Sequence, residues 1–357
     1  MKIQLALLCS LFLIYNSSQA QWEQSLGSES LDVQSLLSTG SYDFFGGQTG
    51  TYRSDDESYS FTFSNSGNDS DGPTRGFTTD GTYIYTCTSQ GVFRSSDNGD
   101  SWLSKSEGLT QLLCHGLIYG NNTLYLSTLS GVFKSTDHAD TWTAAGMTGI
   151  DSRSITCIQD SILFVGTQGY GVYKSVDYGN NWETVNNGLS GTNFRAIQAQ
   201  GNTVFAGGQN GTGVYRSLDY GLSWDLLNNG IASSSYRGFA SNDSIIIAGS
   251  TSQGVFYSLD NGNSWAQIND GLGDLNIFDL ELNNNYILAA THNDGVYRYP
   301  LSEIFSSNVS INEINNTTNA KLISIVDVLG RKSEEKPNKI LFYIYEDGSV
   351  KKKLILN

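Results

Sequence analysis

One phrase recurs along this chain at a nearly constant step. It reads Gly-x-Tyr/Phe-Arg/Lys-Ser followed by x-Asp-x-Gly-x-Ser/Thr-Trp. The box half is intact at Ser95–Trp102, Ser217–Trp224 and Ser258–Trp265. Ser135–Trp142 carries Ala139 in place of the glycine, Ser175–Trp182 carries Asn181 in place of the hydroxyl residue, and Ser54–Phe61 is a worn copy. The leading serines stand at 54, 95, 135, 175, 217 and 258, giving steps of 41, 40, 40, 42 and 41 residues. A period of this length means one supersecondary unit per repeat, stacked on its neighbours to bury a shared core. Residues 191–227 show the unit: Phe194–Ala199, Thr203–Ala206, Gly213–Ser217 and Trp224–Leu227 read as strands, separated by Gly/Asn turns. Four short strands in forty residues is the arithmetic of a propeller blade.

The Gly-x-Tyr/Phe strand occurs seven times, at 50–52, 91–93, 131–133, 171–173, 213–215, 254–256 and 295–297. The seventh copy ends at Tyr299-Pro300 without a fourth strand. Trp22-Glu23 resembles Trp182-Glu183, the start of a fourth strand, so residues 22–25 are expected to complete blade seven beside 295–299. Such closure ties the ends of the ring together and removes free sheet edges. The chain is read as a monomer.

The repeated turn resembles the Asp box of sialidase-type and related propellers. That resemblance gives Asp56, Asp97, Asp137, Asp177, Asp219 and Asp260 a structural role. Each aspartate accepts turn amides, the glycine supplies φ > 0, and the tryptophan packs between strands. The fold class is therefore all-β: a seven-bladed propeller of Asp-box repeats over 21–305, where true sialidases have six blades, plus a small C-terminal β-sandwich-like domain.

The ends carry their own signals. Lys2, the apolar run Ile3–Tyr15 and Ser18-Gln19-Ala20 read as a signal peptide over 1–20. Residues 306–320 read as a polar linker. From 321 to 357 alternating strands flank Asp347-Gly348. This block, with Asp327-x-Leu-Gly-Arg331-Lys332 and Lys351–Lys353, resembles the C-terminal sorting domain of the type IX secretion system. The resemblance implies a Bacteroidetes source, export across the outer membrane with that machinery as a partner, and a secreted or surface-anchored product. Charge divides the same way. Residues 22–300 hold eleven basic and twenty-eight acidic side chains, whereas 321–357 hold eight and five. An acidic body repels nucleic acid and anionic membrane, so no nucleic-acid partner is expected. Removal of the expected signal peptide, with Cys9, leaves Cys87, Cys114 and Cys157, an odd number in strand-like contexts, which favours small buried side chains over a disulfide framework.

No catalytic set stands out. The Arg-Ile-Pro motif of sialidases is missing from the sequence, as are a zinc spacing and a phosphate loop. Asp69-x-Asp71-Gly72 puts Gly67 at the first position of a calcium loop, where a ligand is needed. No metal and no cofactor are expected. One periodic signal lies outside the box. Aligned on their apolar cores, the first strands of the blades place Arg75, His115, Arg153, Arg195 and Arg237 at one register, with Gln34 and Phe278 in blades one and seven. These residues, with His292 in a loop on the same face, form a candidate ligand site at the channel mouth, because guanidinium forks suit carboxylates. The six Arg/Lys after Gly-x-Tyr/Phe lie far from the axis and read as structural. The function expected is a non-catalytic binding module for an anionic glycan or a protein segment. The alternative is a carbohydrate-active enzyme, a hydrolase or lyase. A hydrolase would need two carboxylates facing each other across the mouth.

Overall fold

The computed structural model describes residues 21–68, 72–159, 161–307, 322–326, 332–334, 339–345 and 350–355. The expected signal peptide, the stretch 69–71, most of the expected linker, and residues 327–331 and 346–349, with the expected hairpin turn at Asp347-Gly348, lie outside the described residues. The chain divides into two compact units, Met1–Phe305 and Ser306–Asn357.

The first unit is a β-propeller of seven four-stranded antiparallel sheets. In each blade the second strand is sandwiched in the sheet and buried on both faces, as at Ile84–Thr88, Thr123–Thr128 and Ile246–Ser250. Such strands therefore carry unbroken runs of apolar and small residues rather than an alternating pattern. The fourth strands are only two or three residues long and exposed, as at Leu103–Ser104 and Ala266–Gln267. A long exposed outer edge would invite pairing with other chains, and brevity avoids that.

Blade seven consists of Ile277–Leu282, Tyr286–Thr291 and Val296–Pro300, completed by Glu23–Gln24 from the other end of the ring. Glu23 pairs with Arg298 and Gln24 with Tyr297. Trp22 is 2% exposed and donates from Nε1 to the Ile268 carbonyl at 2.7 Å. Trp102, Trp142, Trp182 and Trp224 make the equivalent bond into the preceding blade at 2.7–2.9 Å. Trp22 is thus the tryptophan that the seventh repeat lacks in its own stretch of sequence. A glycine covers it: a Cβ on Gly271 would stand 2.5 Å from the Trp22 carbonyl oxygen, as one on Gly67, Gly108, Gly188 or Gly230 would clash with its own tryptophan carbonyl.

All six repeat aspartates do the same work. Asp97 Oδ1 accepts the Ser95 hydroxyl at 2.7 Å and the Ser101 amide at 2.9 Å, while Oδ2 accepts the Ser101 hydroxyl at 2.5 Å. Asp56, Asp137, Asp219 and Asp260 repeat this pattern. At Asp177 the Asn181 amide nitrogen replaces the missing hydroxyl at 2.7 Å and holds the carboxyl down to about 2. The turn needs two successive left-handed residues, Asn98 and Gly99 at φ 55° and 85° for example. The basic residue after Gly-x-Tyr/Phe staples one blade to the next: Arg53 reaches the Asn98 carbonyl, Arg94 that of His138, and Arg216 that of Asn261, at 2.6–2.7 Å. Lys174 departs from this and approaches Glu183 of its own blade at 3.4 Å.

A helix, Leu301–Ser307, follows blade seven where the sequence suggested only the end of the ring and the start of a polar linker. Leu301 and Ile304 lie three apart on one helical face. Ile304 is buried in the cluster that holds Trp22 and Tyr299. The second unit contains a three-stranded antiparallel sheet of Leu322–Val326, Lys339–Tyr345 and Val350–Ile355, in that order, with Leu341 fully buried. Cys87 and Cys114 are buried in one apolar cluster between blades two and three.

Candidate functional site

The seven first strands line the channel, and each breaks register once near its start. The partners skip a residue between Val33 and Ser35, Thr74 and Gly76, Cys114 and Gly116, Ser152 and Ser154, Phe194 and Ala196, Tyr236 and Gly238, and Ile277 and Asp279. The skipped residues are Gln34, Arg75, His115, Arg153, Arg195, Arg237 and Phe278. A bulge residue is unpaired and re-aimed relative to its strand. Repeated in every blade, the bulge turns one side chain per blade into the channel. All seven line a single cavity of about 360 Å³, a volume within the range of small-ligand sites.

The ring is asymmetric. Arg153 donates to Asp151 two residues away. His115 sits between Arg75, whose Nη1 is 3.5 Å from Nδ1, and Asp151, whose Oδ1 is 3.5 Å from Nε2. Burial, then the charges of Arg153, Arg75 and Arg195, push the His115 imidazole down to about 3. It is neutral at physiological pH, so its approach to Asp151 is not an ion pair. Arg237 lies over the Phe278 ring, 3.6 Å from its centroid. Burial, then Arg195, lowers its guanidinium to about 10, which leaves it charged at neutral pH. Arg195 is lowered for the same leading reason, burial. Among the described residues Arg75, Arg195 and Arg237 have no ion-pair partner, and the Nε atoms of Arg75, Arg153 and Arg195 are buried without a hydrogen-bond partner. Of the nearby acids Asp274 and Asp294, the first caps the Asn276 amide and the second binds Tyr297 and Gln24.

The structure brings the four arginines and His115 together at the mouth. His292 does not line the cavity; it meets the ring through Phe278, edge to face at 4.8 Å. The six repeat aspartates stay in their turns, away from the channel.

Two cavity residues escaped the sequence reading. The residue after the bulge is Ser35, Gly76, Gly116, Ser154, Ala196 and Gly238 in blades one to six, but Asp279 in blade seven. Asp279 Oδ2 accepts the Leu36 amide of blade one at 2.9 Å, and Oδ1 accepts the Leu280 amide at 2.9 Å. Glu281, two residues on, lines the same cavity. Burial raises Asp279 to about 7 against those two bonds, and burial together with Asp279 raises Glu281 to about 8. The same alignment that isolates the arginines isolates Asp279, as the one charged residue in a row of small ones. The two carboxyls share one strand and do not face each other across the mouth.

No family model and no curated protein matches the sequence. Solved structures match its fold. The extracellular domain of a putative one component system, BT4673 of B. thetaiotaomicron, is 14% identical with a TM-score of 0.66, over 94% of this chain and 47% of that one. The GH74 enzyme of Niastella koreensis is 17% identical with a TM-score of 0.60, over 76% of this chain and 43% of that one. A YCF48 structure bound to D1 peptide is 13% identical with a TM-score of 0.64, over 80% of this chain and 96% of that one. The chain spans less than half the length of the first two. At these identities the likeness defines a β-propeller fold and nothing finer.

Proposed function

We propose that this propeller is a secreted or surface-exposed binding module of the Asp-box kind, which captures a carboxylate-bearing ligand at the channel mouth without transforming it. The observation that carries the reading is the set of guanidiniums of Arg75, Arg195 and Arg237, drawn into one cavity with no ion-pair partner among the described residues. Like charges held together cost energy that a bound anion offsets. A ring built only for structure would pair each arginine as Arg153 is paired. The carboxylate belongs either to an acidic glycan or to a protein segment. The peptide-bound YCF48 neighbour and the extracellular BT4673 neighbour are consistent with either source in an exported protein. Export runs through the N-terminal signal and a type IX sorting tail at 321–357, and the ring acts as a monomer.

The test is a pair of substitutions, Arg195→Ala with Arg237→Ala. Wild type should capture oligogalacturonate or a poly-aspartate peptide, with affinity falling as salt rises. The double variant should weaken capture at least about ten-fold, one charged contact contributing roughly 1.5–3 kcal/mol, while its thermal midpoint barely moves. Lost stability with unchanged capture would show the arginines to be scaffold.

A further inference from the structure

Asp279 and Glu281 stand under an anion site, on the strand that completes the channel wall, where the other blades place no charge. We propose that this pair is a proton-operated control on the arginine ring: protonated, it leaves the ring open to an anion, and ionised, it fills the channel with competing negative charge. This rests on the anion-site reading above. The geometry is specific. Asp279 directly follows the bulge residue Phe278, against which Arg237 lies. Glu281 is three residues beyond that bulge, about 10 Å along the strand, and lines the same cavity as all four arginines. Asp279 is fixed by amides of two blades. Glu281 accepts only the Leu282 amide, at 3.2 Å, among the bonds described.

The groups facing the pair decide the direction. Arg237 on blade six favours ionisation of Asp279. Asp279 itself and Asp43 on the second strand of blade one oppose ionisation of Glu281. Asp43 is engaged by Ser58 and Asn283 at 2.6 and 3.0 Å. Asp32 on blade one holds Gln34 at 2.6 Å. His292 rests on Phe278, the residue before Asp279. With burial added, both acids lose their protons in the neutral to mildly alkaline range, where Arg237 stays charged and His115 stays neutral. Raising the pH therefore adds negative charge beneath an unchanged positive ring. A unit charge about 10 Å away at an effective dielectric near 20 changes anion affinity by roughly ten-fold.

The experiment measures binding of trigalacturonate, whose own carboxylates stay ionised throughout, from pH 6 to 9. Both proteins compared carry His292→Gln, which leaves no imidazole against Phe278. Glu281→Gln keeps the shape and deletes one ionisation. The parent, with two ionisations, should lose on the order of a hundred-fold in affinity with an inflection between pH 7 and 8, and the Glu281→Gln protein, which keeps Asp279, only about ten-fold. Carboxyl carbon shifts of the free parent should show Glu281 titrating in the same interval. Affinity flat with pH in the parent, or equally steep loss in both proteins, overturns the control while leaving the anion site standing. No capture by the parent at pH 6 overturns the anion site, and the control falls with it.

Discussion

Ala139 shows how much a single position of the repeat can bear. It stands at φ 66° behind His138 at 58°, where the other full copies put glycine. A left-handed alanine costs roughly 1–2 kcal/mol, and its buried methyl returns about 0.8 kcal/mol. Ala139→Gly should therefore change stability by less than about 1 kcal/mol. The reverse change elsewhere is not balanced. At Gly262, φ 82°, an added Cβ would stand 2.9 Å from Phe205 Cε1. Gly262→Ala should cost on the order of 2–4 kcal/mol in chemical denaturation, strain and overpacking together. His115 sets a pH limit. Its folded-state pKa, about 3, lies below the ordinary 6.5, so the unfolded chain binds the proton that the folded one refuses. The stability it contributes is full above pH 6.5 and is lost as pH falls toward 3. Asp279 and Glu281 act oppositely: raised above their unfolded values, they favour the folded chain at low pH and lose that contribution as pH climbs from about 4 through 7 and 8. Denaturation midpoints of His115→Gln should show a flatter acid limb, and those of Glu281→Gln a flatter neutral-to-alkaline limb.

Elements explain what could be read in advance. The blades were legible because each repeat states its own strands, and the seven copies of Gly-x-Tyr/Phe count them. The common register of Arg75, Arg153, Arg195 and Arg237 was legible for the same reason. The bulge that aims them was not, since an extra residue in a strand leaves no mark until its pairing partner is known. Asp279 and Glu281 were hidden differently: their role depends on burial and, for Asp279, on an amide supplied by Leu36, far away in sequence. The helix at Leu301–Ser307 was missed because seven residues with three apolar ones make too short a run to establish a period. The closing strand was legible from one dipeptide, Trp22-Glu23. It is only two residues long, yet it positions a fully enclosed indole. Trp22→Ala should cost about 3–5 kcal/mol, and hydrogen exchange should then quicken first in Val296–Pro300, the strand it leaves uncovered.

The molecule as a whole separates its tasks. The ring reaches its own closure through Glu23–Gln24 and Val296–Pro300, without a strand from 321–357. Removal of 321–357 should leave its thermal midpoint within about 2 °C while the truncated protein accumulates in the periplasm; normal appearance in the medium would contradict the proposed export tail. The clasp also imposes a timetable. Glu23 and Arg298 are 275 residues apart, and joining such distant points on a free chain costs about 5 kcal/mol of loop entropy. Blades one to six can shorten that gap as they stack, but none of them can supply the missing edge. The first structural residues to leave a ribosome or translocon must wait for the last blade, so a partly threaded chain holds an open arc and the finished ring forms only once about 300 residues are free together.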